Sequence, residues 1–260
     1  RIMEKSLDRE KIARKNLLRK GSELEGLPIK GYDFDKGVDY EEIIKSFSST
    51  GFQASLFSKA IEITNKMIED NAFVYLGYTS NMVSSGLRDV FRYLVKNKKI
   101  NLVVTTAGAV EEDIIKCMGD FILGDFRASG NDLRERGINR IGNIFVSNTR
   151  YVEFEEFFQK LLDELYQEQK KTGKVITASE LVWKLGEKIN DERSICYWAW
   201  KNKIKIFCPA ITDGAIGDNI YFSSFKHPGL ILDSALDAKR LNDATIGLRK
   251  SGLVILGSGI

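Results

Sequence analysis

Two stretches place small hydroxyl and amide side chains where an apolar run stops and an amphipathic run starts. In the first, Phe73–Tyr78 ends in Thr79-Ser-Asn-Met-Val-Ser84, with an amphipathic segment from about Met82 to Val95. In the second, Leu102-Val-Val-Thr-Thr-Ala-Gly108 leads into Val110-Glu-Glu-Asp-Ile-Ile-Lys116. A strand feeding a helix leaves unpaired N–H groups at the positive end of the helix dipole, a setting that suits phosphate. Two such junctions about 25 residues apart suggest neighbouring βα units binding one nucleotide at their shared edge. The first junction has no GxGxxG. Its residues by themselves are equally compatible with plain caps and turns.

The elements that must position these residues follow from periodicity. Apolar, β-rich runs occur at Phe73–Tyr78, Leu102–Thr106, Asn143–Ser147, Ile204–Cys208, Gly229–Leu232 and Leu253–Leu256. Helical patterns cover Tyr40–Phe47, Phe52–Ile68, Phe154–Gln169, Ala178–Ile189 and Ser194–Asn202. Short, wholly apolar strands alternating with helices predict an α/β fold: a doubly wound, mainly parallel, Rossmann-like sheet with helices on both faces. The division expected is an N-terminal helical extension over residues 1–30 and a single nucleotide-binding domain over 31–260. The aromatic set Tyr151, Phe154, Phe157 and Phe158 repeats at helical spacing and reads as core. Trp183, Trp198 and Trp200 read as packing or subunit contact.

Ligands of such a sheet sit at the carboxyl ends of its strands. The polar residues that follow the apolar runs are therefore the candidates: Thr79, Ser80, Asn81 and Ser84, then Thr105, Thr106, Gly108, Glu111 and Glu112, then Asp213, Asp218 and Asp233. Small donors dominate the first junction and would suit phosphate. Carboxylates dominate the later ones and would suit a ribose hydroxyl or a cation. Each has a plainer reading. Ser80 and Asn81 could cap a helix, Glu111, Glu112 and Asp113 could complement a helix dipole, and Asp213 and Asp218 could each mark a turn.

Longer blocks carry a family resemblance. Leu76–Gly86, Val104–Cys117, Asn131-Asp-Leu-Arg-Glu-Arg-Gly-Ile-Asn-Arg-Ile-Gly-Asn143, Cys208-Pro-Ala-Ile-Thr-Asp-Gly-Ala-Ile-Gly-Asp218 and His227-Pro-Gly-Leu-Ile-Leu-Asp233 closely resemble deoxyhypusine synthase, in order, from about Gly31 to Gly259. The resemblance implies NAD-dependent transfer of the aminobutyl group of spermidine to one lysine of the translation initiation factor five-A precursor. It places NAD contacts on Ser80, Asn81, Met82, Val83, Ser84, Thr106, Ala107, Gly108, Glu112, Asp213 and Ser258. Spermidine contacts fall on Glu111, Glu112 and Asp218. A homotetramer built from tight dimers is also implied, with Lys5 to Arg19 as candidates for a helix over a neighbour's active-site mouth.

The pattern is departed from at two positions: Ala109 stands where the family commonly has glycine, and Ser258 interrupts a usual glycine run. The family's nucleophilic lysine matches no residue before Ile260, so the chain is expected to be part of a longer polypeptide. Whether residues are missing near Asp70–Asn71 is left open by the sequence. The alternative is a catalytically silent paralogue serving as structural or activating subunit of a mixed tetramer. An NAD-dependent deacylase is the weakest reading, since no catalytic histidine stands in the matched region. The single histidine, His227, reads as a surface turn residue.

Bulk composition agrees. A 260-residue chain can bury a sizeable core, and 43% hydrophobic with 29% charged residues is ordinary for a globular protein. A net charge of +3, from 39 basic and 36 acidic residues, argues for neither nucleic acid nor a membrane surface. No apolar run approaches the roughly 20 residues that span a bilayer. The three cysteines, Cys117, Cys196 and Cys208, lack metal-ligand spacing and read as reduced thiols, which points to the cytoplasm.

Overall fold

Blocks of branched and aromatic residues become strands, and the amphipathic segments between them become the helices that cover those strands. The computed structural model describes residues 2–18 and 21–258, in two units that part after Lys66. The first unit holds α1 (Ile2–Leu17), a 3-10 turn at Phe34–Lys36, α2 (Tyr40–Thr50) and most of α3 (Phe52–Glu69). Asp39 caps α2 by accepting from the N–H groups of Glu41 (2.9 Å) and Glu42 (3.1 Å). Of the segment Lys5 to Arg19, Arg19 and the side chains before Asp8 lie outside the described residues.

The second unit carries β1 (Phe73–Tyr78), α4 (Ser80–Ser84), α5 (Leu87–Lys96), β2 (Leu102–Thr105), α6 (Ala107–Met118) and β3 (Ile122–Leu123). Next come α7 (Gly130–Glu135), β4 (Ile138–Ile141), β5 (Ile144–Ser147), α8 (Asn148–Thr172), α9 (Ala178–Ile189) and α10 (Ile195–Asn202). The last elements are β6 (Lys205–Phe207), α11 (Gly214–Lys226), α12 (Ser234–Asp243) and β7 (Ser251–Leu256). The main sheet has the order β6-β2-β1-β7 and is wholly parallel. From β1 the chain moves to β2 on one side and returns to β7 on the other. The order therefore reverses beside β1, the point where such sheets bind ligands.

Helices flank this sheet as expected, and the core lies between them. Tyr78 at the end of β1 stacks on Phe91 of α5 at 4.2 Å, and Phe154 stacks on Phe158 along α8 at 5.4 Å. The aromatic stripe of α8 is thus packing, with Phe154, Phe158, Leu162 and Leu165 all buried. The indole N–H groups of Trp183 and Trp198 donate to the carbonyls of Ile204 (2.7 Å) and Glu192 (2.9 Å). Cys196 and Cys208 are buried free thiols and Cys117 a half-buried one. Burial pushes the thiols of Cys117 and Cys208 up to about 12.

Four expectations are corrected. The helix expected over Met82–Val95 is two helices, interrupted at Ser85-Gly86. The run Asn143–Ser147 contributes no strand to the parallel sheet. Gly142, at φ +61°, makes the tight turn that folds β5 back on β4, giving a small antiparallel sheet of order β3-β5-β4. Gly229–Leu232 forms no strand: Pro228 lacks an N–H, Gly229 sits at φ +93°, and Leu232 makes only an isolated bridge to Ile176. His227 does open a turn, its carbonyl accepting the Leu230 N–H at 3.3 Å, but its side chain is half-buried rather than on the surface. It ends α11, stacks on Tyr166 at 4.6 Å and pairs through Nε2 with Asp163.

Candidate functional site

The carboxyl ends of the strands meet at one rim. Thr79 follows β1, Thr106 follows β2, and Gly257 follows β7. Gly257 has φ +90°, and a Cβ there would lie 2.4 Å from Thr79 Oγ1, so both conformation and space require glycine. At Gly108, in the first turn of α6, a Cβ would lie 2.9 Å from that of Ser80. The two junctions read from the sequence are therefore in direct contact.

Helix starts at this rim differ from those that begin with a capping side chain elsewhere. Asp39, Ser129, Ser147, Thr177, Ser194 and Asp233 each accept a backbone N–H of the helix that they begin. Thr79, Thr106 and Asp213 begin α4, α6 and α11 with side chains equally suited to capping, yet none does so. The Thr106 hydroxyl is buried without a hydrogen-bond partner. Asp233, grouped with the rim residues by the sequence, instead caps α12 through Leu236 N–H (2.8 Å).

The carboxylates come from α6. Glu111 Oε2 accepts the Ile216 N–H at 2.9 Å and so takes the start of α11, which Asp213 leaves open. Gly214, at φ +61°, admits this carboxylate: a Cβ there would lie 2.8 Å from Glu111 Oε1. Glu112 accepts a short hydrogen bond from the Ser84 hydroxyl of α4. Desolvation raises both carboxyls to about 7. The charges of Asp218 and Asp213 add to the rise at Glu111, and the charge of Glu111 adds to that at Glu112. Tyr151 of α8 is held up to about 12 by burial and by these same two glutamates.

Other predicted residues fall in two groups. Asn81, Asp213, Asp218 and Ser258 are exposed. Asp218 marks no turn, since it lies within α11. Ala107 and Val83 are wholly buried, and Met82 packs against the core, so the side chains of Ala107 and Val83 are closed to a ligand. Ala109 is also buried in the core, with 2% exposure.

Sequence reasoning missed Lys116 as a site element. Its ammonium donates to the carbonyls of Val83 (2.7 Å), Ser84 (2.5 Å) and Ser85 (3.1 Å). The signal available was its i+4 spacing from Glu112, which puts both on one face of α6. Asp113 belongs to a separate network. It pairs with Arg88 Nε at 2.8 Å and accepts from Ser194 Oγ (2.7 Å), Ile195 N–H (3.0 Å) and Cys196 N–H (2.9 Å).

Open helix starts, an orphaned hydroxyl and clustered carboxylates fit a ligand with phosphates and vicinal hydroxyls beside a cationic one. Comparison with known proteins gives the family. A family model described as deoxyhypusine synthase matches residues 42–260. A Drosophila melanogaster protein named as a probable deoxyhypusine synthase is 43% identical, over 96% of this chain and 74% of its own length. One of the same name from Methanocaldococcus jannaschii is 48% identical, over 94% and 78%. A Senecio vernalis deoxyhypusine synthase is 42% identical, over 94% and 73%. A crystal structure from Entamoeba histolytica bearing the same family name superposes with a TM-score of 0.66 at 37% identity, covering 89% of this chain and 79% of that one. The sequence blocks, the parallel sheet and these matches agree, and the chain belongs to the deoxyhypusine synthase family of transferases.

Proposed function

We propose that the rim binds NAD and spermidine together, and that the protein transfers the aminobutyl group of spermidine to a lysine of the translation initiation factor five-A precursor. The supporting observation is the buried pair Glu111 and Glu112, raised to about 7 beside helix starts left open by their own caps. The N–H groups at the start of α6, with the Thr106 hydroxyl, suit the cofactor's phosphates and hydroxyls. NAD, when bound, supplies a hydride acceptor that can return the hydride later in the same turnover. Glu111, Glu112 and Asp218 would hold the substrate ammonium groups in register. One substrate amine must be neutral before it can lose hydride. A carboxylate titrating near 7 is matched to taking that proton.

In this reading residues 31–260 form the NAD-binding domain, residues 1–30 the helical extension, and the working unit is a cytoplasmic tetramer. Among the described residues no helix is long and apolar enough to cross a membrane. Nothing in the comparisons favours the silent-subunit alternative. The test is release of diaminopropane from spermidine by the full-length, folded protein. Release that depends on added NAD is expected, and its absence at every NAD concentration would overturn the reading.

A further inference from the structure

The charge of Lys116 acts on Glu112, and all of the ammonium's hydrogen-bonding capacity is committed. Its three donors meet the three carbonyls that end α4, at 2.5–3.1 Å, and the Phe121 ring lies 5.0 Å from Nζ. The carbonyls of Val83 and Ser84 end a five-residue helix with no further turn of its own, while that of Ser85 also accepts the Arg88 N–H at 3.4 Å. Ser84, whose own carbonyl is one of the three, donates its hydroxyl to Glu112, one turn before Lys116 on α6. The contacts thus close a loop: Lys116 to the α4 backbone, α4 to Ser84 Oγ, Ser84 Oγ to Glu112, and Glu112 back along α6 to Lys116.

We propose that Lys116 is a positioning residue that clamps α4 to α6 and so holds Ser84 and the segment before it in register with Glu112. This rests on the reading that the α4 segment and Glu112 face the cofactor. An ammonium with every proton directed at a carbonyl is unsuited to attack a carbonyl or imine carbon, so Lys116 is not the nucleophile of the reaction.

Its charge has a second consequence. Burial, then the positive charge of Arg88, lowers the Lys116 pKa, while Glu112, Asp89 and Asp113 oppose that fall. In return Lys116 favours the ionised form of Glu112, against desolvation and the charge of Glu111. The groups facing the pair are therefore Arg88 and Asp89 from α5, Tyr151 from α8, Ser84 from α4, and Glu111 and Asp113 on α6 itself.

Two substitutions in the full-length protein separate clamp from nucleophile. Lys116→Arg retains charge and donors but cannot form a Schiff base. It should keep kcat within about threefold of the parent and leave the pH midpoint of thermal stability in place. Lys116→Gln retains a donor but loses the charge. It should weaken NAD binding about tenfold, a loss of about 1.4 kcal/mol, and move the pH midpoint of thermal stability upward, because Glu112 then ionises later. Adding Glu112→Gln should abolish that movement. Loss of all turnover in Lys116→Arg, or a Lys116→Gln protein with unchanged NAD affinity and midpoint, overturns the proposal. Should Lys116→Gln fail to fold, the arginine variant decides alone. Thermal stability needs no cofactor. A parent that binds no NAD, together with the midpoint movement in Lys116→Gln, would therefore refute the NAD reading while leaving the clamp standing.

Discussion

Glu111, Glu112 and Asp113 are consecutive, all buried, and all bonded to a helix other than their own, yet their environments differ in kind. Asp113 has a full set of partners: a guanidinium, a hydroxyl and two backbone N–H groups. Four charge-assisted or polar bonds offset the desolvation of that carboxylate and lock α10 and α5 onto α6. Glu111 and Glu112 are also buried, but they receive too few bonds to be comfortable as anions and are held near 7. One side of α6 spends its acid on stability. The other leaves two acids under-satisfied at the rim where a cationic ligand would complete them, as expected where pKa values are shifted for function.

The comparison predicts a graded series. The largest folding effect belongs to Asp113→Ala, which leaves Arg88 buried without its carboxylate. It should cost about 3–5 kcal/mol by urea denaturation, and a loss under 1 kcal/mol would break the contrast. Glu112→Gln should do the reverse, lowering aminobutyl transfer roughly 10²- to 10³-fold while folding stability at pH 8 holds or rises. Equal destabilisation by Glu112→Gln and Asp113→Ala would erase the distinction between the two sides.

A third prediction concerns pH. Both glutamates titrate higher in the folded protein than the ordinary glutamate value of 4.5. Their contribution to stability is therefore complete below about 4.5 and is lost as pH rises through about 7. Ligand-free protein should lose about 3 kcal/mol per glutamate over that interval, and the Glu111→Gln/Glu112→Gln variant should show a flatter profile. Added spermidine should flatten it too, by stabilising the anions. A profile that the double substitution leaves unaltered would place the titration elsewhere. The smallest effect belongs to Ser84→Ala. Removal of one donor to Glu112 should raise that carboxyl further and cost about 1 kcal/mol, seen as an upward shift in the acid limb of the activity profile.

Much of this was legible before folding. The strands Phe73–Tyr78 and Leu102–Thr105, and the helix Ala178–Ile189, follow from periodicity, because their burial depends on neighbours in sequence. The rim residues Thr79, Thr106 and Glu111 were legible for a similar reason, since chain order puts them just beyond strand ends. What escaped notice depended on partners far along the chain. The polar centre Asn139-Arg140 hides β4, which only its hairpin mate β5 stabilises. The start of α11 reads as a glycine-rich turn. It is capped by Glu111, roughly a hundred residues earlier, a bond that no local rule anticipates.

Residue order alone determined the alternation of strand and helix, and with it the rim at which ligands collect, because hydrophobic period and turn chemistry act over a few neighbouring residues. Which acid becomes structural and which stays reactive was decided only in three dimensions. Desolvation and hydrogen bonding depend on what packs alongside, and Arg88, Ser194, Ser84 and Ile216 reach α6 from four separate elements of the fold.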